Sequence, residues 1–130
     1  MNNKQKLEWI LYVEDEPDIR AIAELALEEI GGYRLLSCAS GAEALAAVQE
    51  QTPDLLLLDV MMPGMDGPET LHKLRELPQL GKVPAVFMTA KVQPSETAEY
   101  LALGAVDVIA KPFDPLTLAS QIQDIWNKAQ

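Results

Sequence analysis

The chain is short of the residues that most often announce a function. Its 130 residues include one cysteine, Cys38, and one histidine, His72. A lone cysteine makes no internal disulfide, which points to a reducing compartment. Neither residue has a partner at ligand spacing, so a zinc site is disfavoured and His72 reads as an exposed helix residue. Positive charge is scarce too. Ten lysines and arginines stand against twenty acids, for a net charge of −10, and the ten are scattered along the chain. Nucleic-acid backbones need clustered positive charge, so direct nucleic-acid binding is not expected; an acidic surface favours cations and basic partners. Long apolar runs are missing as well. The stretch from Trp9 to Val13 is cut off by Glu14, Asp15 and Glu16, too soon for a signal peptide or a membrane span. A cytoplasmic protein without membrane contact is the expectation.

What the chain does have is enough apolar material, 48% of residues, to build one core. Residues 1–130 are expected to form a single domain. Apolar runs of strand length recur at 7–13, 33–38, 55–58, 85–88 and 106–110. Between them lie segments with helical spacing, such as Ile19, Ile22, Ala23, Ala26 and Ile30, and later Leu118, Ile122 and Ile125. Start signals agree: Ser40 to Glu43 spells S-x-x-E, Asp66 to Glu69 spells D-x-x-E with Pro68 early in the helix, and Asp114 precedes Pro115. Gly31, Gly32 and Gly104 stand where helices should stop. Five alternations of strand and helix predict an α/β domain, with a parallel sheet covered by helices on both faces.

Four leucines, 55–58, form a strand with no polar face, which belongs in the middle of that sheet. They run directly into Asp59. In such sheets ligands bind beyond the carboxyl ends of the strands, where the strand order reverses. The first strand ends in Glu14 and Asp15, the third in Asp59, the fourth in Thr89 and the fifth just before Lys111. Singly, each has an ordinary explanation as a turn, a cap or a surface charge. Jointly they do not. Two like charges ~4 Å apart repel by roughly 4 kcal/mol at an effective dielectric of about 20. Three carboxylates at one sheet edge therefore need cations. Lys111 supplies one, and a hard divalent ion such as Mg2+ supplies the rest, because it takes one or two carboxylates, keeps waters and accepts phosphate oxygens. Met61, Met62 and Met65 read as packing and loop cover, since the neighbouring ligands are hard oxygens.

VEDE at 13–16, LLLLDVMMPGMDG at 55–67, MTA at 88–90 and AKPF at 110–113 resemble the receiver domain of two-component response regulators. The four motifs stand in order, at family spacing, across essentially the whole chain. The resemblance implies a flavodoxin-like fold: five parallel strands in the order 2-1-3-4-5 and five helices, in three α/β/α layers. It implies that Asp59 accepts a phosphoryl group from a phosphohistidine on a sensor histidine kinase or a histidine phosphotransfer protein. Asp15 and Asp59 would bind Mg2+ (or Mn2+) directly, with the backbone carbonyl of Met61 as a third ligand and Glu14 assisting through water. Thr89 would bond one phosphoryl oxygen and Lys111 another, and Lys111-Pro112 would be a cis peptide. The first helix, near Ile19 and Ile22, would meet the phosphodonor. A downstream protein target would bind the surface from Pro94 to Lys128, with phosphorylation-dependent dimerisation as an option. The chain would catalyse only its own phosphorylation and dephosphorylation.

Two positions depart from the family pattern. Glu14 stands where many receivers carry aspartate, and its longer arm still offers a carboxylate. Val108 occupies the fifth-strand position where many receivers carry an aromatic switch residue. With no output domain expected in these residues, the chain reads as a stand-alone switch or as the receiver of a longer regulator or hybrid kinase. A haloacid dehalogenase-like phosphohydrolase needs a second aspartate two residues after the nucleophile, where this chain has Met61. A flavodoxin-like carrier needs a phosphate-cradling loop after the first strand, where this chain has the acidic EDEP. A receiver acting only as a scaffold would not need all five site positions.

Overall fold

The structure is a computed structural model, and it describes residues 5–130. Strands β1 (Trp9–Val13), β2 (Arg34–Cys38), β3 (Leu55–Asp59), β4 (Ala85–Thr89) and β5 (Asp107–Ala110) form one parallel sheet in the order β2-β1-β3-β4-β5. Helices α1 (Pro17–Glu24), α2 (Gly41–Ala47), α3 (Gly67–Arg75), α4 (Pro94–Ala102) and α5 (Leu118–Ala129) alternate with them. This is the flavodoxin-like, doubly wound fold that the motifs imply.

Strand alternation divides the core in two. Ile10, Tyr12, Leu55, Leu57, Val86, Met88 and Ile109 face α1 and α5, where Ala23, Leu27, Ile122 and Trp126 cover them. Leu11, Val13, Leu56, Leu58 and Phe87 face the other way, against Ala44, Leu71 and Leu74 of α2 and α3. All four leucines of residues 55–58 are fully buried. Their burial contributes roughly 6–12 kcal/mol in sum, which fixes the central strand and therefore the position of Asp59 at its end.

Helix starts follow their caps. Ser40 Oγ accepts from the Glu43 N–H at 3.1 Å, while Glu43 Oε1 accepts from the Ala39 N–H at 2.9 Å, a capping box displaced by one residue. Asp66 Oδ1 accepts from the Glu69 N–H at 2.9 Å. Asp114 does not cap α5. Its Oδ1 accepts from the Leu116 N–H in a local turn, and the helix begins at Leu118, three residues later than Pro115 suggests.

The first helix departs most from its expected form. After Glu24 it widens into a π-helical segment, Leu25–Ile30, and the Gly31 N–H bonds Ala26 O five residues back. The extra residue per turn rotates the following side chains. Ile30, expected on the inner face, is 52% exposed, and Leu27 is buried; Ala23 and Ala26 are buried as expected, while Ile22, ahead of the widened segment, is 47% exposed. Gly32 then closes the segment at φ 77°, a conformation only glycine adopts without strain. Strand ends move less: β1 begins at Trp9 rather than at Leu7, and Val106 lies outside β5 with 44% exposure.

Candidate functional site

The sheet ladder carries the site residues past the strand ends. The Glu14 N–H bonds Cys38 O, the Val60 N–H bonds Met88 O, and the Lys111 N–H bonds Thr89 O, at 3.0, 3.0 and 2.9 Å. Glu14, Asp59 and Lys111 follow Tyr12, Leu57 and Ile109 at two-residue spacing, so all three side chains start from the α1/α5 face. Lys111 Nζ donates to Glu14 Oε1 and to Asp59 Oδ1, both at 2.9 Å. One ammonium thus bridges strands from three parts of the sequence. The Lys111-Pro112 peptide is cis.

Glu14 is fully buried, and Asp59 and Thr89 are 2% and 3% exposed. Carboxylate oxygens of Glu14, Asp15 and Asp59 all lie within 4.8 Å of one another. At that separation each like-charge pair repels by about 3 kcal/mol at an effective dielectric of 20. Burial, opposed by the Lys111 hydrogen bond and reinforced by Glu14 and Asp15, pushes the Asp59 carboxyl from 3.8 to about 6. For Lys111, burial works against the charged form, yet the hydrogen bonds to Asp59 and Glu14 outweigh it and the net direction is upward. Local positive charge is thus held firmly, and there is too little of it.

Asp15 Oδ1 is buried and has no hydrogen-bond partner. A carboxylate oxygen left unpaired beside two more carboxylates fits a cation ligand, and hard oxygens in a small cluster suit Mg2+. Glu14 differs from its expected supporting part in one respect: both of its oxygens are engaged, Oε1 by Lys111 and Oε2 by the Glu16 N–H at 3.2 Å. Its backbone carbonyl also accepts from Arg20 Nη1 at 2.8 Å. Arg20 was not singled out from sequence; the only signal is an isolated basic residue in the acidic run EDEPDIR. The buried Tyr12 hydroxyl, like Asp15 Oδ1, has no partner.

The loop after Asp59 is closed by Gly67, whose N–H bonds Val60 O at 2.9 Å. A Cβ on Gly67 would run into Asp59 O and lie 2.9 Å from Val60 Cα, so only glycine permits this approach. Met61 is 70% exposed and Met62 is buried. Thr89 Oγ1 accepts from the Lys91 N–H at 3.0 Å, leaving its own proton to donate. Val108 is half-buried in β5, in register with Phe87. Cys38 is buried and its thiol is pushed up to about 11 by burial, so it is inert at neutral pH. His72 is exposed on α3. A cavity of about 660 Å³ lies at the other end of the sheet, lined by Thr52, Pro53, Pro84 and Trp126 among others, and includes none of the acidic group.

A flavodoxin-like domain with a carboxylate cluster, a lysine and a threonine at its strand-order reversal defines a narrow class. Residues 10–123 match the model of the response regulator receiver domain, and the chain belongs to that family, the receiver domains of two-component systems. It is 40% identical over 121 residues to a probable transcriptional regulator, ycf27, of Porphyridium aerugineum, a match covering 93% of this chain and 49% of that protein. It is 35% identical over 121 residues to the phosphate regulon transcriptional regulatory protein PhoB of Rhizobium meliloti, covering 93% and 53%. The chain spans about half the length of these curated relatives. Among solved structures, the chemotaxis response regulator CheY4 of Vibrio cholerae is similar with a TM-score of 0.84 and 32% identity, covering 92% of this chain and 99% of that one. Among the described residues no helix is long and apolar enough to cross a membrane.

Proposed function

We propose that the chain is a phosphorylation-dependent switch in which Asp59 accepts a phosphoryl group from a phosphohistidine. The observation that carries this reading is the convergence of Asp59, Glu14, Asp15 and Lys111, with one oxygen of Asp15 left unpaired. In the transfer, an Asp59 carboxylate oxygen attacks phosphorus, the phosphorus–nitrogen bond breaks, and the imidazole leaves with its electron pair. Charge spreads over the equatorial oxygens, so the work is positioning and electrostatic stabilisation. Lys111 stands ready to move one of its hydrogen bonds from Asp59 to a phosphoryl oxygen. Thr89 donates to another. Asp15 and Asp59, with the Met61 carbonyl and Glu14 in support, would hold Mg2+ or Mn2+, which supplies positive charge to the transferring oxygens when bound. No separate substrate is turned over, so the chain is not an enzyme in the ordinary sense.

The phosphodonor is a sensor histidine kinase or a histidine phosphotransfer protein, meeting the first helix near Ile19 and Ile22. The downstream target is a protein that binds between Pro94 and Lys128, in the cytoplasm. A second reading follows from the length of the relatives: the same domain acts within a longer regulator, where phosphorylation controls an attached domain.

Incubation with Mg2+ and a small acyl phosphate, followed by intact mass measurement, tests the proposal. The native chain should gain one phosphoryl group, and Asp59→Asn should gain none. An equal adduct on the variant, or no adduct on the native chain with any donor, would overturn it.

A further inference from the structure

Of the five α-helices, α4 is the one whose side chains are least buried. Among the described residues it contributes no buried side chain, whereas α1, α2, α3 and α5 each bury at least one. Its inward grip is Tyr100, half-buried against the core on the α2 and α3 side. The Tyr100 ring meets Phe87 edge-on, with centroids 5.5 Å apart and planes at 61°. Phe87 is fully buried in β4 and in register with Val108 of β5. Val108 is small, so the ring at this seam comes from the helix and not from the fifth strand. An edge-to-face contact depends on the relative position of two rings, so a shift of β4 against α4 weakens it.

The same strand leads to the site. Phe87 and Thr89 lie two residues apart on β4 and share a face. Thr89 Oγ1 holds the Lys91 N–H at 3.0 Å, which ties the end of β4 to the short loop before Pro94, where α4 begins. A Thr89 hydroxyl donating to a phosphoryl oxygen on Asp59 is drawn toward the neighbouring strand and draws the Lys91 amide with it. Strain on α4 then arrives at two points, its leading loop and its one aromatic anchor.

We propose that Tyr100 couples the phosphoryl site to α4, its ring on Phe87 holding the helix in a docked arrangement that phosphorylation of Asp59 releases. This rests on the reading of Asp59 as the phosphoacceptor. Tyr100 touches no reacting atom and is a positioning residue.

Amide hydrogen exchange across α4, read with and without a small acyl phosphate and Mg2+, tests it, with intact mass recording phosphorylation in each sample. In the native chain phosphorylation should raise exchange over residues 94–102 by about tenfold. Tyr100→Ala should show the raised exchange without phosphodonor, change little more on phosphorylation, and take up the phosphoryl group as fully as the native chain. Tyr100→Leu, which keeps apolar bulk without an edge-on ring, should lose the response in the same way; Tyr100→Phe should restore native behaviour. A native-sized response in Tyr100→Ala, or a Phe variant that behaves like the Ala variant, overturns the inference. So does a phosphorylated native chain with unchanged exchange over α4. A native chain that takes up no phosphoryl group defeats the phosphoacceptor reading itself, and this inference falls with it.

Discussion

Asp59→Asn is expected to make the metal-free protein harder to unfold at pH 7, although it removes the proposed phosphoacceptor. The folded chain raises the Asp59 carboxyl from 3.8 to about 6, which makes its ionised form about 3 kcal/mol costlier in the folded state than in the unfolded one. Between those values the folded chain keeps a proton that the unfolded chain has lost. Stability is therefore intact below about pH 4, falls as pH rises toward 6, and stays low above it. Asparagine does not titrate and escapes the loss, but as a neutral amide it gives up part of the charge-assisted bond from Lys111. The net gain at pH 7 should be about 1–3 kcal/mol, roughly 4 °C in Tm per kcal/mol for a chain of this size. Urea denaturation in the presence of a chelator, at pH 4, 5, 6 and 7, measures it. The advantage of the variant should grow across that range. Mg2+ should offset it, because the metal binds the native carboxylates and stabilises the wild-type fold by about 2.7 kcal/mol at 100 times its Kd. An Asp59→Asn protein less stable than wild type at pH 7 without metal, or a difference that does not vary with pH, would refute the electrostatic argument.

Three further substitutions probe the same architecture. Lys111→Met leaves Glu14 and Asp59 buried without their shared cation, and should cost about 3–5 kcal/mol in metal-free urea unfolding at pH 7, with partial recovery as pH falls; a loss under 1 kcal/mol would show that the lysine does not compensate them. Gly67→Ala pushes a methyl into the backbone at Asp59 and Val60, and should lower the unfolding free energy measured in urea by about 1–3 kcal/mol while slowing phosphoryl uptake; native stability would mean that the loop has slack. Asp15→Asn keeps the side chain's shape and removes one of three mutually repelling carboxylates, so metal-free stability at pH 7 should be unchanged or higher while the Mg2+-induced rise in Tm disappears; a retained rise would remove Asp15 from the metal site.

The parts of the fold that sequence disclosed are those governed by short-range rules. Residues 55–58 announced a central strand because no other place accepts a segment apolar on both sides. Ser40 and Asp66 announced helix starts because their side chains bond backbone groups three residues away. Asp114 carried a similar signal and used it for a turn, since a side chain that can cap a helix can equally hold an Asx turn. The π-helical segment was not legible: a 3.6-residue period places Ile30 inward, whereas the widened turn carries it outward and ends at Gly31, where a Cβ would lie 2.8 Å from Ala119 Cβ, a tertiary closeness that no local spacing records. At the site, strand ends placed Glu14, Asp15, Asp59, Thr89 and Lys111 on one edge. That Lys111 reaches across to Glu14, two strands beyond its neighbour β4, depended on side-chain length and burial, which no spacing records. Arg20 and Tyr100 escaped for the same reason, because their partners are a backbone carbonyl six residues away and a ring thirteen residues away on another layer.

One carboxylate, Asp59, is proposed to carry the phosphoryl group. Borohydride reduction of the phosphorylated chain converts an aspartyl phosphate into homoserine, and tandem mass spectrometry of the digest then reads which residue has changed. Homoserine is expected at position 59 alone, only after treatment with phosphodonor and Mg2+. Homoserine at Asp15 or another aspartate, or an unmodified position 59 in a chain that has gained a phosphoryl group, would contradict it.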